Sequence, residues 1–252
     1  MPLDIETLAD ALDALSTGDQ ARKKGQHVRT LRGVRGVPDG ALARLLSAAW
    51  HEQRPRFPDD AVEIRNLFFG AHEDGILAIG LLAAVLPDDP EEAVELGLDL
   101  LESVDDTHTA DALGWLVLGP GWLACGRPVH HLVGLASTFS RDSQRRAIAM
   151  SALAWLPEPL EGPAAAALRE RTGQKVIAFS SEPGSEAVSE IVDGLLRDES
   201  PAVRKALRRV LRAWGQADPE AVTRWAASVR GGLPRILQSE VKRAQRRSER
   251  IQ

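Results

Sequence analysis

The chain has 252 residues, 44% apolar and 27% charged, with one cysteine and a formal net charge of -5. That length buries a core without staples, and the lone Cys125 excludes an internal disulfide framework and any all-cysteine metal site. No apolar run reaches the ~18 residues of a membrane span, and Met1-Pro-Leu-Asp-Ile-Glu lacks the basic and apolar regions of a secretory signal, so a soluble, cytoplasmic protein is expected.

Taken in chain order, the apolar spacing is helical nearly throughout. Leu3, Ile5, Leu8, Leu12 and Leu15 open the chain on one helical face. The Ala-rich stretch from Gly75 to Leu86 predicts a helix buried on most sides. Pro87-Asp-Asp-Pro closes it and opens the next: Asp89 can cap, Pro90 suits the first helical position, and Glu91 and Glu92 complement the dipole. Gly119-Pro-Gly reads as a turn. Lys175-Val-Ile-Ala-Phe is the one strand-like segment, and a single strand cannot form a sheet, so it reads as helix or loop. Ser200-Pro201 and Asp218-Pro219-Glu220 repeat the helix-start pattern. The sum is an all-α chain of about twelve to fourteen helices of roughly 10–17 residues with short connectors. An acid-opened helix, a Pro/Gly break and a second helix recur about every 35–45 residues, the period of HEAT and armadillo repeats, so bundle and solenoid both remain open. No linker divides the chain: residues 1–252 read as one domain, with a basic tail at 243–252 that frays.

The net charge hides a segregation. Residues 21–56 sum to +7, residues 57–112 to -14, and residues 201–252 to +9. Such asymmetry points to an anionic partner, unless acidic and basic segments pack together and neutralise. The helix from Pro201 to Trp214 is the most informative. Val203, Ala206, Leu207, Val210, Leu211 and Trp214 form one buried stripe, while Arg204, Lys205, Arg208, Arg209 and Arg212 share the other face with no acid among them. Like charges at i, i+4 repel, so this face favours an anion: a phosphate backbone or the chain's own acidic segment. Other constellations are bland. His130-His131 lacks metal-ligand spacing, no Gly-Lys-Ser/Thr follows a glycine loop, and there is no Gly-x-Ser-x-Gly elbow. No metal and no cofactor are expected. Cys125, Trp115 and Trp122 read as core residues.

Val203-Arg-Lys-Ala-Leu, Leu211-Arg212, Asp218-Pro-Glu-Ala-Val and the closing helix Leu233–Lys242 resemble the C-terminal block of the HEAT-like DNA alkylation repair glycosylases, the AlkD-type family. Gly36-Val-Pro, His72-Glu-Asp-Gly-Ile-Leu-Ala, Asp106-Thr-His-Thr-Ala-Asp111 and Ser140-Arg-Asp-Ser-Gln-Arg-Arg-Ala resemble further family segments in order, over about residues 30–245. The resemblance implies a curved right-handed solenoid of antiparallel helix pairs. It also implies hydrolysis of the N-glycosidic bond of cationic alkylated purines on a concave basic surface. One carboxylate suffices to stabilise an oxocarbenium-like sugar and position a water, and the resemblance assigns that role to Asp111. Arg146, with Arg145 beside it, would contact phosphate, as would Arg204, Lys205, Arg208, Arg209 and Arg212. The sequence departs from the family pattern twice. Thr107 and Arg209 stand where active relatives have aromatics, each worth ~0.5–2 kcal/mol to a bound cation.

Three functions follow: a monomeric repair glycosylase acting on double-stranded DNA, a non-catalytic relative that binds damaged or branched DNA, or a protein-binding solenoid whose acidic segment meets a basic partner.

Overall fold

Every regular element among the described residues is a helix, as the 3.6-residue spacing predicts. The computed structural model describes residues 4–28, 30–52, 55–101, 103–125, 188–189 and 192–251. In α1 (Ile5–Leu15) the Asp4 carboxylate accepts from the Thr7 N–H and caps the helix, which buries Leu8 and Leu12. The polar α2 (Gly18–His27) buries no residue fully. After α3 (Asp39–Glu52) and α4 (Ala61–Phe68) comes α5 (His72–Val85), the predicted Ala-rich helix begun a turn early. It is buried almost end to end, because α3, α4, α6 (Pro90–Leu101) and α7 (Thr107–Ala112) all pack against it. A helix apolar all round requires such surroundings.

The start of α6 follows the sequence rule: the Glu92 N–H donates to Asp89 Oδ1 at 3.4 Å behind Pro90. From α7 the chain continues without a break through a π-helical segment, Leu113–Leu118, into α8 (Gly119–Ala124). Gly119-Pro-Gly is therefore not the expected turn but the first turn of α8. Proline, lacking an N–H, is tolerated at a helix's first turn, and a wide π turn just before it loosens the hydrogen-bond ladder there. The segments Lys175 to Phe179, His130-His131 and Ser140 to Ala147, with Arg145 and Arg146, lie outside the described residues.

The C-terminal part comprises α9 (Pro201–Ala217), α10 (Pro219–Ser228) and α11 (Arg235–Ile251). The predicted stripe of α9 is buried, with Val203, Leu207, Val210 and Leu211 each at 0% exposure. Full burial of such a side chain contributes about 1.5–3 kcal/mol. Asp218 caps α10 by accepting from the Ala221 N–H at 2.9 Å. Where a frayed tail was expected from residue 243, α11 runs on to Ile251. Leu237, Val241 and Ala244 hold it against α9 and α10. One apolar core extends from Leu8 on α1 to Ala244 on α11.

Candidate nucleic-acid interface

Burial of one α9 stripe leaves Arg204, Lys205, Arg208, Arg209 and Arg212 on its other side. No acid lies within this run of the helix, yet the fold brings acids to it from two others. Glu240 of α11, its side chain 0% exposed, lies 3.1 Å from Arg208 Nη2, 3.3 Å from Arg212 Nη2 and 3.0 Å from Arg243 Nη1. Burial pushes its carboxyl up, but the hydrogen bonds from Arg212 and Arg208 outweigh that and hold it below the ordinary glutamate value. Arg204 Nε donates to the Asp198 carbonyl at 3.0 Å. Lys205 Nζ and Arg209 Nη1 reach Asp111 Oδ2 at 3.2 and 2.5 Å. Glu240 and Asp111 offset the i, i+4 repulsion, and Asp111 belongs to the acidic 57–112 segment, one of the two anions the sequence left open for this face. The side chains of Lys205, Arg208, Arg209 and Arg212 remain 35–48% exposed and, with Arg204, Glu199, Pro201 and Ile236, line an open groove of about 360 Å³.

Asp111 is aimed by the start of its own helix. Asp106 caps α7, accepting from the His108 N–H at 2.8 Å, the Thr109 N–H at 2.9 Å and Thr109 Oγ1 at 2.6 Å. The Nδ1 of buried His72 lies 3.4 Å from Asp106 Oδ2. Burial raises the Asp106 carboxyl, but His72 and Thr109 outweigh it and leave it far below the usual carboxylate range. The cap fixes the phase of α7, so Asp111 faces α9 with its side chain 12% exposed. His108, one turn earlier, is exposed; partial burial and then the charge of Lys205 lower its imidazole below the usual value, favouring the neutral ring. Thr107 is the partly exposed first residue of α7. Trp122 is buried at 5% exposure, and Cys125 packs partly buried against the core.

Several cations of the basic 21–56 segment are turned inward. Arg35 Nε donates to Asp74 Oδ1 at 2.6 Å, and the same guanidinium meets Asp13. Lys24 Nζ is 2.7 Å from Asp39 Oδ1 and 3.4 Å from Glu73 Oε1. Arg32 donates to the Phe68 carbonyl at 2.8 Å and to Thr109 Oγ1 at 3.1 Å, beside Asp105 and Asp106. Buried Glu73 also takes the backbone N–H groups of Arg35, Gly36 and Val37 at 2.9, 3.0 and 3.2 Å. Acid and base therefore neutralise here, the alternative to an anionic partner that the charge segregation left open. What remains open is a cleft of about 370 Å³ lined by Lys23, Lys24, His27, His72 and His108. His108, which lines this cleft, stands on α7 three residues before Asp111, which contacts Lys205 and Arg209 of the α9 groove.

The structure thus brings Asp111 together with Lys205 and Arg209, and it brings Arg208 and Arg212 together at Glu240. Glu240 and the His72–Asp106 pair escape a sequence reading aimed at cations. One signal was available: Glu240 falls in the apolar stripe Leu237, Val241, Ala244, and an acid in a buried stripe must find a base.

The chain has no match among curated proteins. No helix among the described residues is long and apolar enough to cross a membrane. The sequence profile described as DNA alkylation repair enzyme matches residues 8–242, from α1 into α11, and covers all of the elements that build the groove except the last turns of α11. The chain belongs to the DNA alkylation repair enzyme family.

Proposed function

We propose that the protein binds double-stranded DNA along the α9 groove and hydrolyses the N-glycosidic bond of cationic alkylated purines, with Asp111 as the carboxylate. The observation that carries this reading is the contact of Asp111 with Lys205 and Arg209, which joins the candidate acid to the basic groove. A cationic base leaves readily, so the reaction asks for one carboxylate beside the sugar and a positioned water. In the free protein the charge of Asp111 is shared with two cations. DNA phosphates compete for those cations, because guanidinium groups bind phosphate in the same forked geometry. The carboxylate is then released toward the sugar. Arg145 and Arg146 join the phosphate contacts in this reading, and the helix pairs form the curved right-handed solenoid whose inner side carries the groove.

A second reading is non-catalytic binding of damaged or branched DNA. It draws on Arg209, which stands where the resemblance expects an aromatic and which holds Asp111 at 2.5 Å. Release of methylated purine from alkylated duplex DNA separates the two. The wild type is expected to exceed the spontaneous rate, and Asp111→Asn to lose about 10²-fold or more of that gain. Binding without release by the wild type favours the second reading. Equal release by both proteins removes Asp111 from the chemistry.

A further inference from the structure

The groove between α9 and α11 holds a second cationic surface that the Asp111 site does not use. It is an open cleft of about 330 Å³ lined by Arg212, Gln216, Arg243, Arg246, Arg247 and Arg250, with Glu240 at its base. Gly215 allows the close approach of the two helices, since a side chain there would bring its Cβ to 2.9 Å from Ala244 Cβ. The cleft contains two kinds of arginine. Arg212 and Arg243 are tied to Glu240, whereas Arg246, Arg247 and Arg250 make no ion pair among the described residues. These three sit about two to three turns beyond Glu240 on the exposed side of α11 and lie outside the family match, which ends at residue 242. Cations at this density repel one another along a helix unless an anion is shared among them.

We propose that this cleft holds the phosphates of duplex DNA flanking the segment on α9, so that α11 lengthens the binding surface. The proposal rests on the DNA-binding reading above. Continuity identifies the occupant: Arg212 lines both the α9 groove and this cleft, so a backbone following α9 runs on to α11. The helical rise from Arg243 to Arg250 is about 10 Å, the length of about three steps of a duplex strand at 3.4 Å each.

The test compares the full-length wild type with Arg246→Gln/Arg247→Gln/Arg250→Gln by fluorescence anisotropy, on 12- and 24-base-pair duplexes across a salt series. A charge-matched control, Arg22→Gln/Arg65→Gln/Arg224→Gln, removes three exposed arginines that are already paired with acids. The wild type is expected to bind the longer duplex with the steeper salt dependence. The α11 variant should lose about 2–3 units of that slope and the advantage of the longer duplex, with short-duplex affinity and helix content unchanged. The control should keep both. Equal slopes and equal length preference in wild type and α11 variant overturn the proposal, as does an equal loss in the control. Absence of binding by the wild type to either duplex at low salt removes the DNA-binding reading itself.

Discussion

At 2.5 Å from Arg209 Nη1 and 3.2 Å from Lys205 Nζ, the Asp111 carboxylate is already engaged before any nucleic acid arrives. Such charge-assisted contacts are among the stronger side-chain hydrogen bonds, and they compete directly with what the carboxylate would do for a cationic sugar. Arg209→Gln removes the shorter contact and, in the proposed function, one phosphate ligand together. Its expected effects are opposite in sign: the salt slope of duplex binding falls by about 1, while single-turnover release of methylated purine at saturating protein rises. A fall in release would assign Arg209 to the reaction itself. The sequence identified Asp111 only through its neighbours in a family-like motif, and it carried no sign that Arg209 would reach it.

Helix pairing is set by how closely α9 and α11 approach. Their contact is the most extensive between any two elements of the C-terminal part, and it passes through Gly215. Gly215→Val places its Cβ against Ala244, forces the helices apart and costs about 1–3 kcal/mol, read as a lower urea midpoint. The same variant should loosen the Arg208 and Arg212 contacts with Glu240 and weaken duplex binding. An unchanged midpoint would mean that α11 shifts without strain. At this scale the sequence was most legible. The α9 stripe, the Asp89 and Asp218 caps and the all-helical character follow from short-range spacing, which neighbours three and four residues apart fix by themselves. It failed at Gly119-Pro-Gly, where a proline in a first helical turn and a proline in a loop look alike in sequence.

At the scale of the whole molecule, three buried acids that join distant elements, Glu73, Asp106 and Glu240, each have their carboxyl held below its ordinary value. In each case burial opposes ionisation and hydrogen bonds from the surrounding groups overcome it. A carboxyl depressed in the folded state contributes stability that is present above its unfolded value near pH 4, and that stability is lost as the pH falls through the folded value. The urea midpoint should therefore hold from pH 7 to about pH 5 and then decline steadily below about pH 4. Glu240→Gln should lower the neutral-pH stability by about 1–3 kcal/mol and make the acid decline shallower. A midpoint independent of pH down to about 3 would show that these carboxylates gain nothing from their partners.

Residues 21–56 and 201–252 carry +7 and +9, and the acidic stretch between them is as plain in the sequence as the helices are. Those are properties of local composition and of the 3.6-residue repeat, so the sequence alone determined the helical class and the candidate basic face. Which acid meets which base was decided only by packing. Arg32 and Arg35 turn inward to Asp105 and Asp74, Arg208 and Arg212 close on Glu240, and Lys205 and Arg209 close on Asp111. The physical reason is range: an ion pair forms within about 4 Å, and elements far apart in the chain reach that distance only when their apolar faces are buried together.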